Sequence, residues 1–235
     1  VKQLLTEGII LSRIEYGEAD RIITVLTPEH GKLRLMARGV RRIKSKLAGG
    51  IELFSVSDLS YIKGKGEIGT LVSSRLKTHY GSIVQDLSRV QLGYELIKLI
   101  NKATEDQPDE EYFNLLRESF KALDDKAIPK ELISIWFKAQ LLAYGGHMPN
   151  LSTDIEEKKL EEKRRYSFNF DNMCFVSHPE GTYDDKHIRV LRLLFSNNLP
   201  GKINRVNGLK DALDSVSKVI NEAFYNYGHG HKAIA

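Results

Sequence analysis

Between Thr6 and Lys77, apolar side chains recur at every second position in short runs, and a turn signal breaks each run. Thr6–Tyr16 (TEGIILSRIEY) stops at Gly17. Asp20–Thr27 (DRIITVLT) stops at Pro28, after which His30-Gly31 turns the chain back. Lys32–Arg38 alternates cleanly, with Leu33, Leu35 and Ala37 on one face and Lys32, Arg34, Met36 and Arg38 on the other. That period of two marks a strand with one buried face. Within Ile51–Ile62 the phase passes from Phe54 and Val56 to Leu59 and Tyr61, which predicts a bulge near Ser57–Asp58. Ile68, Val72 and Leu76 are expected to give a fifth strand its apolar face, with Arg75 and Lys77 opposite. Five such strands predict a small barrel, for which an OB-like Greek key is the five-stranded candidate.

From Gly81 the period becomes helical. Ile83, Leu87, Val90, Tyr94 and Ile97 form one predicted seam, and Phe113, Leu116, Phe120 and Leu123 a second, after Gln107-Pro108 and an acidic first turn. A third helix opens at Pro129, carries Ile133, Trp136, Phe137, Leu141 and Tyr144, and stops at Gly145-Gly146. Its wide apolar surface marks it as the most buried helix of a bundle. Ile188, Leu191 and Phe195 predict a fourth helix, and Leu209, Leu213, Val216, Ile220 and Phe224 a terminal one. Between the third and fourth helices, Asp154–Arg165 (DIEEKKLEEKRR) is a solvated charged segment, and Tyr166–Val176 (YSFNFDNMCFV) is a hairpin turning at Asp171-Asn172. The expected fold class is α+β and multidomain. An OB-like β-barrel over residues 1–80 is followed by a mainly α-helical domain with a small β-hairpin over 81–235, the break falling near His79–Ser82.

Charge changes the picture. The chain of 235 residues carries a net +4, but residues 1–80 hold 14 Lys and Arg against 8 Asp and Glu, while residues 81–235 hold 21 against 23. Most of the excess lies in one run: Lys32, Arg34, Arg38, Arg41, Arg42, Lys44 and Lys46, with no acid between Glu29 and Glu52. Such a run repels itself unless a polyanion relieves it. The alternation aims Lys32, Arg34 and Arg38 out of the barrel, and the other four sit on the connection that follows. Lys63, Lys65, Arg75 and Lys77 extend the candidate groove. OB modules track single strands with a basic channel and aromatic platforms. Tyr16, Phe54 and Tyr61 are the aromatics available, Phe54 reading as core. An acidic peptide tail is the alternative polyanion, which would make the protein an interaction adaptor.

Other chemistry is thin. The match to G-x-G-x-x-G at Gly64–Gly69 joins two strands instead of opening a helix, so it is a glycine hairpin and not a dinucleotide site. One cysteine excludes a disulfide framework and a four-cysteine zinc site within this chain. His147, Cys174, His178 and His187 lack paired ligand spacing beyond Cys174-x₃-His178, and His229 and His231 lie in a GHGH tail. No nucleophile–base grouping stands out, so a hydrolase is disfavoured. Neither a cofactor nor a metal is expected. With no run of roughly 18 apolar residues and no leader pattern, the expectation is a soluble cytoplasmic protein.

The stretch Glu7–Arg42 (EGIILSRIEYGEADRIITVLTPEHGKLRLMARGVRR), continuing through Lys44–Ser55 (KSKLAGGIELFS), resembles the N-terminal signature of the RecO family of bacterial recombination and DNA-repair mediators. Tyr16–Asp20, Gly31–Arg34 and Ala37–Arg41 carry most of it. The resemblance is strong over 6–77, one of pattern over 81–147, and weak beyond. It implies an OB-fold domain, a helical domain and a non-enzymatic, nucleoid-associated activity. That activity is binding of single- and double-stranded DNA, annealing of strands coated by single-stranded-DNA-binding protein, and loading of RecA together with RecR. It also implies capture of the coat protein's acidic C-terminal tail. Many relatives carry a four-cysteine zinc motif where this chain has Leu151–Asp185. Only Cys174 stands here, so zinc is not carried over, and 151–185 is expected to be a degenerate form of that lobe.

Overall fold

The computed structural model describes residues 2–64, 66–104 and 108–228. Eight strands and six helices are described below in two compact units, Val1–Asp125 and Lys126–Ala235.

In the first unit β1 (Gln3–Tyr16), β2 (Asp20–Thr27), β3 (Gly31–Ala37), β4 (Ser55–Ile62) and β5 (Ile68–His79) close a barrel in the order β1-β2-β3-β5-β4. The β3–β5 pair is parallel, and β1 pairs with both β2 and β4. This is the OB-like topology that the strand pattern predicts. Ile10, Ile23, Val25, Leu35, Leu59, Tyr61 and Leu71 fill the interior. Gly31, at φ 64°, makes the turn that His30-Gly31 predicts.

A register shift does fall at Val56/Ser57, and a second at Ser60/Tyr61. The unpaired residues, however, are Lys77 and Val72 on β5, not residues of β4. Each extra residue resets the direction of the side chains that follow. The predicted face of β5 is therefore wrong: Gly69 and Leu71 are buried, whereas Val72 and Leu76 are exposed.

Two helices complete this unit, α1 (Leu87–Ala103) and α2 (Glu110–Asp124). Phe113, Leu116, Phe120 and Leu123 are all buried on α2, as their spacing predicts. The seam of α1 differs from expectation. Leu87 and Tyr94 are exposed, and the buried face is Arg89, Leu92, Gly93, Leu96, Ile97 and Ile100. Asp86 caps the helix through Ser88 N and Arg89 N, so Ile83 lies outside it and sets no phase. Arg89 sits on the buried face because its guanidinium donates to the carbonyls of Leu123 and Asp125 at the end of α2. Phe54 is core as expected, at φ 54°, with edge contacts to Tyr94 and Phe120. A Cβ at position 93 would fall 2.5 Å from the Phe54 ring, so glycine is required there.

The second unit is built on α3 (Lys130–Tyr144), which buries nine of its side chains and is the central helix that the sequence predicts. Trp136 Nε1 donates to Asn198 O and Gln140 Nε2 to Leu194 O. A three-stranded sheet follows, from β6 (Asn150–Asp154), β7 (Tyr166–Asn169) and β8 (Cys174–Ser177), in the order β6-β8-β7. The β7–β8 hairpin is the predicted one; β6, a polar strand parallel to β8, is not visible in the pattern. The short helices α4 (Asp185–Leu194) and α5 (Pro200–Ile203) lead into α6 (Leu209–Tyr227). The terminal seam of α6 is buried at Leu209, Val216, Ile220 and Phe224. No described helix is long and apolar enough to cross a membrane.

Candidate nucleic-acid interface

The period-two rule puts Lys32, Arg34 and Met36 on the outer face of β3, because Leu35 and Ala37 point into the barrel. Strand pairing extends that face into rows. Arg34 lies between Thr24 on β2 and Ile68 on β5, and Met36 between Ile22 and Thr70, with Ile14 of β1 beyond Ile22. Ile14 is 58% and Tyr16 56% exposed, at the β1 end of this face. Of the three aromatics named from the sequence, Tyr16 alone is open to a base; Phe54 and Tyr61 are buried.

Beyond Ala37 the chain leaves the sheet as a connection over 38–47 that is anchored at both ends. Gly39 N donates to Asp20 Oδ1 at 2.7 Å and Arg41 N to Ala19 O at 2.9 Å, tying it to the β1–β2 turn. Val40 plugs into the barrel core. At the far end Ser74 Oγ of β5 donates to Leu47 O. Between these anchors Arg38, Arg41, Arg42, Ile43, Lys44 and Lys46 all face solvent. Arg41 reaches Glu15 at 3.5 Å. Among the described residues, Arg38, Arg42, Lys44 and Lys46 make no ion pair. Ile43 is fully exposed among them, and an isolated apolar residue in a basic run gives no periodic signal in the sequence.

The remaining cations fall in two places. Lys32 donates to the main-chain and side-chain oxygens of Asn101 on α1, Arg34 pairs with Glu67 at 3.8 Å, and Lys63 stands on the β4–β5 connection. Lys32, Arg34 and Lys63 line one pocket, also bounded by His30, Leu33, Tyr61, Gly64 and Glu67. Lys65 lies outside the described residues. Arg75 is exposed on β5, opposite Asp58 of β4 in the strand register, and Lys77 pairs with Glu7. The structure thus puts Arg38, Arg41, Arg42, Lys44 and Lys46 along one connection and Lys32, Arg34 and Lys63 around the pocket, while Arg75 stands apart on β5. Lys77 belongs to neither group.

A model of the Recombination protein O N-terminal domain matches residues 1–80, and one of the Recombination protein O C-terminal domain matches residues 84–232. The chain belongs to the RecO family. Three curated relatives, each named DNA repair protein RecO, show the range of similarity. That of Bacillus velezensis is 28% identical over 227 residues, covering 94% of this chain and 88% of its own length. That of Halalkalibacterium halodurans is 34% identical over 157 residues, 63% of this chain, and that of Alkaliphilus metalliredigens 32% over 151 residues, 64% of it. In the last two alignments the chain spans 61% of the relative's length.

The four-cysteine zinc site that the resemblance implies for the lobe over 151–185 can be tested on the residues present, and they do not fit that group. Cys174 is buried in β8, where burial, and then the Asp154 carboxylate, push its thiol above the usual value and keep it protonated. A thiol held in that form is a poor metal ligand. His178 Nδ1 accepts from Glu180 N, and His187 Nδ1 is 2.6 Å from the Asp184 carboxylate. Among the described residues no three His, Cys, Asp or Glu side chains converge on a point. Edge contacts among Tyr166, Phe168, Phe170, Phe175, Tyr183 and His187 hold the lobe together.

Proposed function

We propose that this RecO protein acts in DNA repair and recombination as a non-enzymatic mediator, and that its barrel is the strand-binding module. Arg38, Arg41, Arg42, Lys44 and Lys46 lie along a connection anchored at both ends, with Glu15 as the one described acid paired to it. That observation carries the reading. Anchoring holds the cations in place before any ligand arrives, so little ordering is lost on binding. Phosphate contacts neutralise two strands without reading their sequence, which reduces their mutual repulsion and lets bases search for partners. Tyr16, exposed at the edge of the outer face, offers one stacking surface, and the sugar–phosphate chain runs between it and Arg38 and Arg42.

On this reading residues 1–80 are the nucleic-acid-binding domain and 81–235 the helical one. Single- and double-stranded DNA, the coat protein's acidic tail and RecR are the partners, with RecA loaded as the outcome. The test is annealing of two complementary labelled oligonucleotides precoated with single-stranded-DNA-binding protein, at low and moderate salt. Salt-sensitive acceleration, lost when Arg38, Arg41 and Arg42 are reversed to Glu, supports the mediator. No acceleration, with the coat protein's tail still bound, makes the chain an adaptor instead.

A further inference from the structure

We propose that Lys186, Arg189, Lys202, Arg205 and Lys210 form a second polyanion surface, on the helical unit, which holds the backbone of duplex DNA. The inference deepens the mediator reading above and rests on it, since it gives the paired product of annealing a place apart from the barrel.

Charge distribution comes first. Beyond residue 80 the chain has slightly more acids than bases, yet Lys186–Lys210 holds six Lys and Arg and no Asp or Glu. Arg192 is committed elsewhere, because its Nε and Nη2 donate to Leu151 O at 2.9 and 2.7 Å. The other five are exposed, and among the described residues none of them makes an ion pair. Asp185 and Asp211 border the run without pairing to it.

The fold then brings these cations together. The turn over 204–208 lies against α4: Arg189 Nη2 donates to Asn207 O at 3.4 Å, and a Cβ at position 208 would fall 3.9 Å from Lys186 Cδ. Arg205 N donates to Lys202 O, so the end of α5 runs straight into that turn, and Lys210 follows it in the opening of α6. Two of the five work against the fold. Lys186 and Lys210 stand in the first turns of α4 and α6, where the helix dipole disfavours positive charge. A polyanion relieves that penalty together with the mutual repulsion of the cluster.

What the surface lacks selects the polyanion. Unpaired strands are held by phosphate contacts together with aromatic platforms. Here Phe195 is buried and His187 is held by Asp184, so no ring of the run is offered to a base. An extended peptide needs pockets for its side chains, yet Leu199, at 38%, is the one large apolar residue of the run that stands exposed. Duplex DNA asks for cations alone. It presents about one charge per 1.7 Å of its axis on a rigid frame, and phosphate contacts hold it without reading its sequence.

The experiment uses the whole chain and fluorescence anisotropy, with a labelled blunt duplex and an oligo(dT) of equal length. Lys186→Glu, Arg189→Glu and Arg205→Glu together should weaken duplex binding at least about 30-fold and flatten its slope of log K against log[salt] by roughly 2–3, while oligo(dT) affinity falls less than about threefold. The thermal midpoint should hold or rise, because reversing Lys186 favours the start of α4. Arg38→Glu, Arg41→Glu and Arg42→Glu should instead weaken oligo(dT) far more than duplex.

Equal losses of duplex and oligo(dT) in the helical-unit variant would mean that the surface tracks any strand, and unaltered duplex affinity that it meets no DNA; either overturns the proposal. So does lost binding of an oligoglutamate peptide with duplex affinity intact, which makes an acidic peptide the ligand. Failure of the mediator reading looks different, because annealing of coated strands is then absent while the loss of duplex binding on reversal still appears.

Discussion

Two charged segments of this chain, the connection over 38–47 and the loop over 154–165, handle their charge in opposite ways. In the loop, five acids and five bases alternate. Lys158 pairs with Glu156 and Arg164 with Glu161, and Asp154, almost fully buried, accepts from the amides of Glu156 and Lys158. Arg165 donates to Gly181 O, and Glu161 N to the Tyr166 hydroxyl. That loop balances its own charge. The connection over 38–47 has five bases and no acid, and it borrows one carboxylate, Glu15, from β1. Similar charge density thus gives a closed surface in one place and an unsatisfied one in the other. The sequence of signs, more than the number of charges, decides which segment looks outward for a partner.

The sharpest way to break this contrast is to reverse signs in both segments. Arg38→Glu, Arg41→Glu and Arg42→Glu together should weaken single-strand binding by more than about 100-fold, whatever the oligonucleotide sequence. Reversing Lys158, Lys163 and Arg164 should leave it unchanged; fluorescence anisotropy measures both. If about five phosphates are engaged, the unaltered protein should give a slope of log K against log[salt] of roughly −3 to −4. A nearly flat slope would refute the interface.

Next in size is Tyr16→Ala. Loss of one stacked base is worth roughly 1–3 kcal/mol, with the salt slope unaltered because no charge is removed. Titrations at two salt concentrations separate the effects.

A smaller effect concerns Asp184, at the edge of the lobe that holds that loop, where a carboxylate serves the fold. Burial acts to raise its pKa, but the His187 hydrogen bonds, with help from the Lys186 amide, outweigh that and lower it. A depressed acid stabilises the fold when ionised. The contribution is complete above about pH 4, the unfolded value, and disappears as pH falls through the depressed one. Asp184→Ala should therefore cost roughly 0.5–2 kcal/mol at pH 7, the worth of an N-cap. Denaturant melts should show that deficit shrinking in acid.

Smallest is Glu15→Gln, which releases Arg41 and Arg21 from an exposed carboxylate. Exposed pairs are worth about 0–1 kcal/mol, so DNA should bind up to about fivefold more tightly in the same titration. Unaltered or weaker binding would mean that Arg41 does not meet phosphate.

What was legible in the sequence was local. The alternation of Lys32–Arg38 fixes which side chains leave the barrel, and the absence of acid from Glu29 to Glu52 marks the basic connection; neither needs a distant contact. The misread elements each depend on one. The inverted face of β5 follows from bulges at Val72 and Lys77, which exist only against β4. The seam of α1 is hidden because Arg89, a charged residue, is drawn inside by carbonyls of α2. β6 is five polar-leaning residues whose partner strand comes twenty residues later. The pocket needs His30 and Arg34 to meet Tyr61 and Lys63, and no periodicity reports that. Lys65, His229 and His231 lie outside the described residues.

Ser74 Oγ, bonded to Leu47 O, has a consequence in time. The connection is tied at one end to residues made before it, Ala19 and Asp20, and at the other to a strand made after β4. It acquires its shape only when β5 docks. Because β5 lies parallel to β3 and β4 must also find β1, that docking waits on slow, long-range pairing. Until the chain has been synthesised past Ser74, its cations are a loose polycation on an unfinished domain. Completion of the barrel turns that tether into a shaped surface, so the cationic face takes its form late, in the last step of the barrel's own assembly.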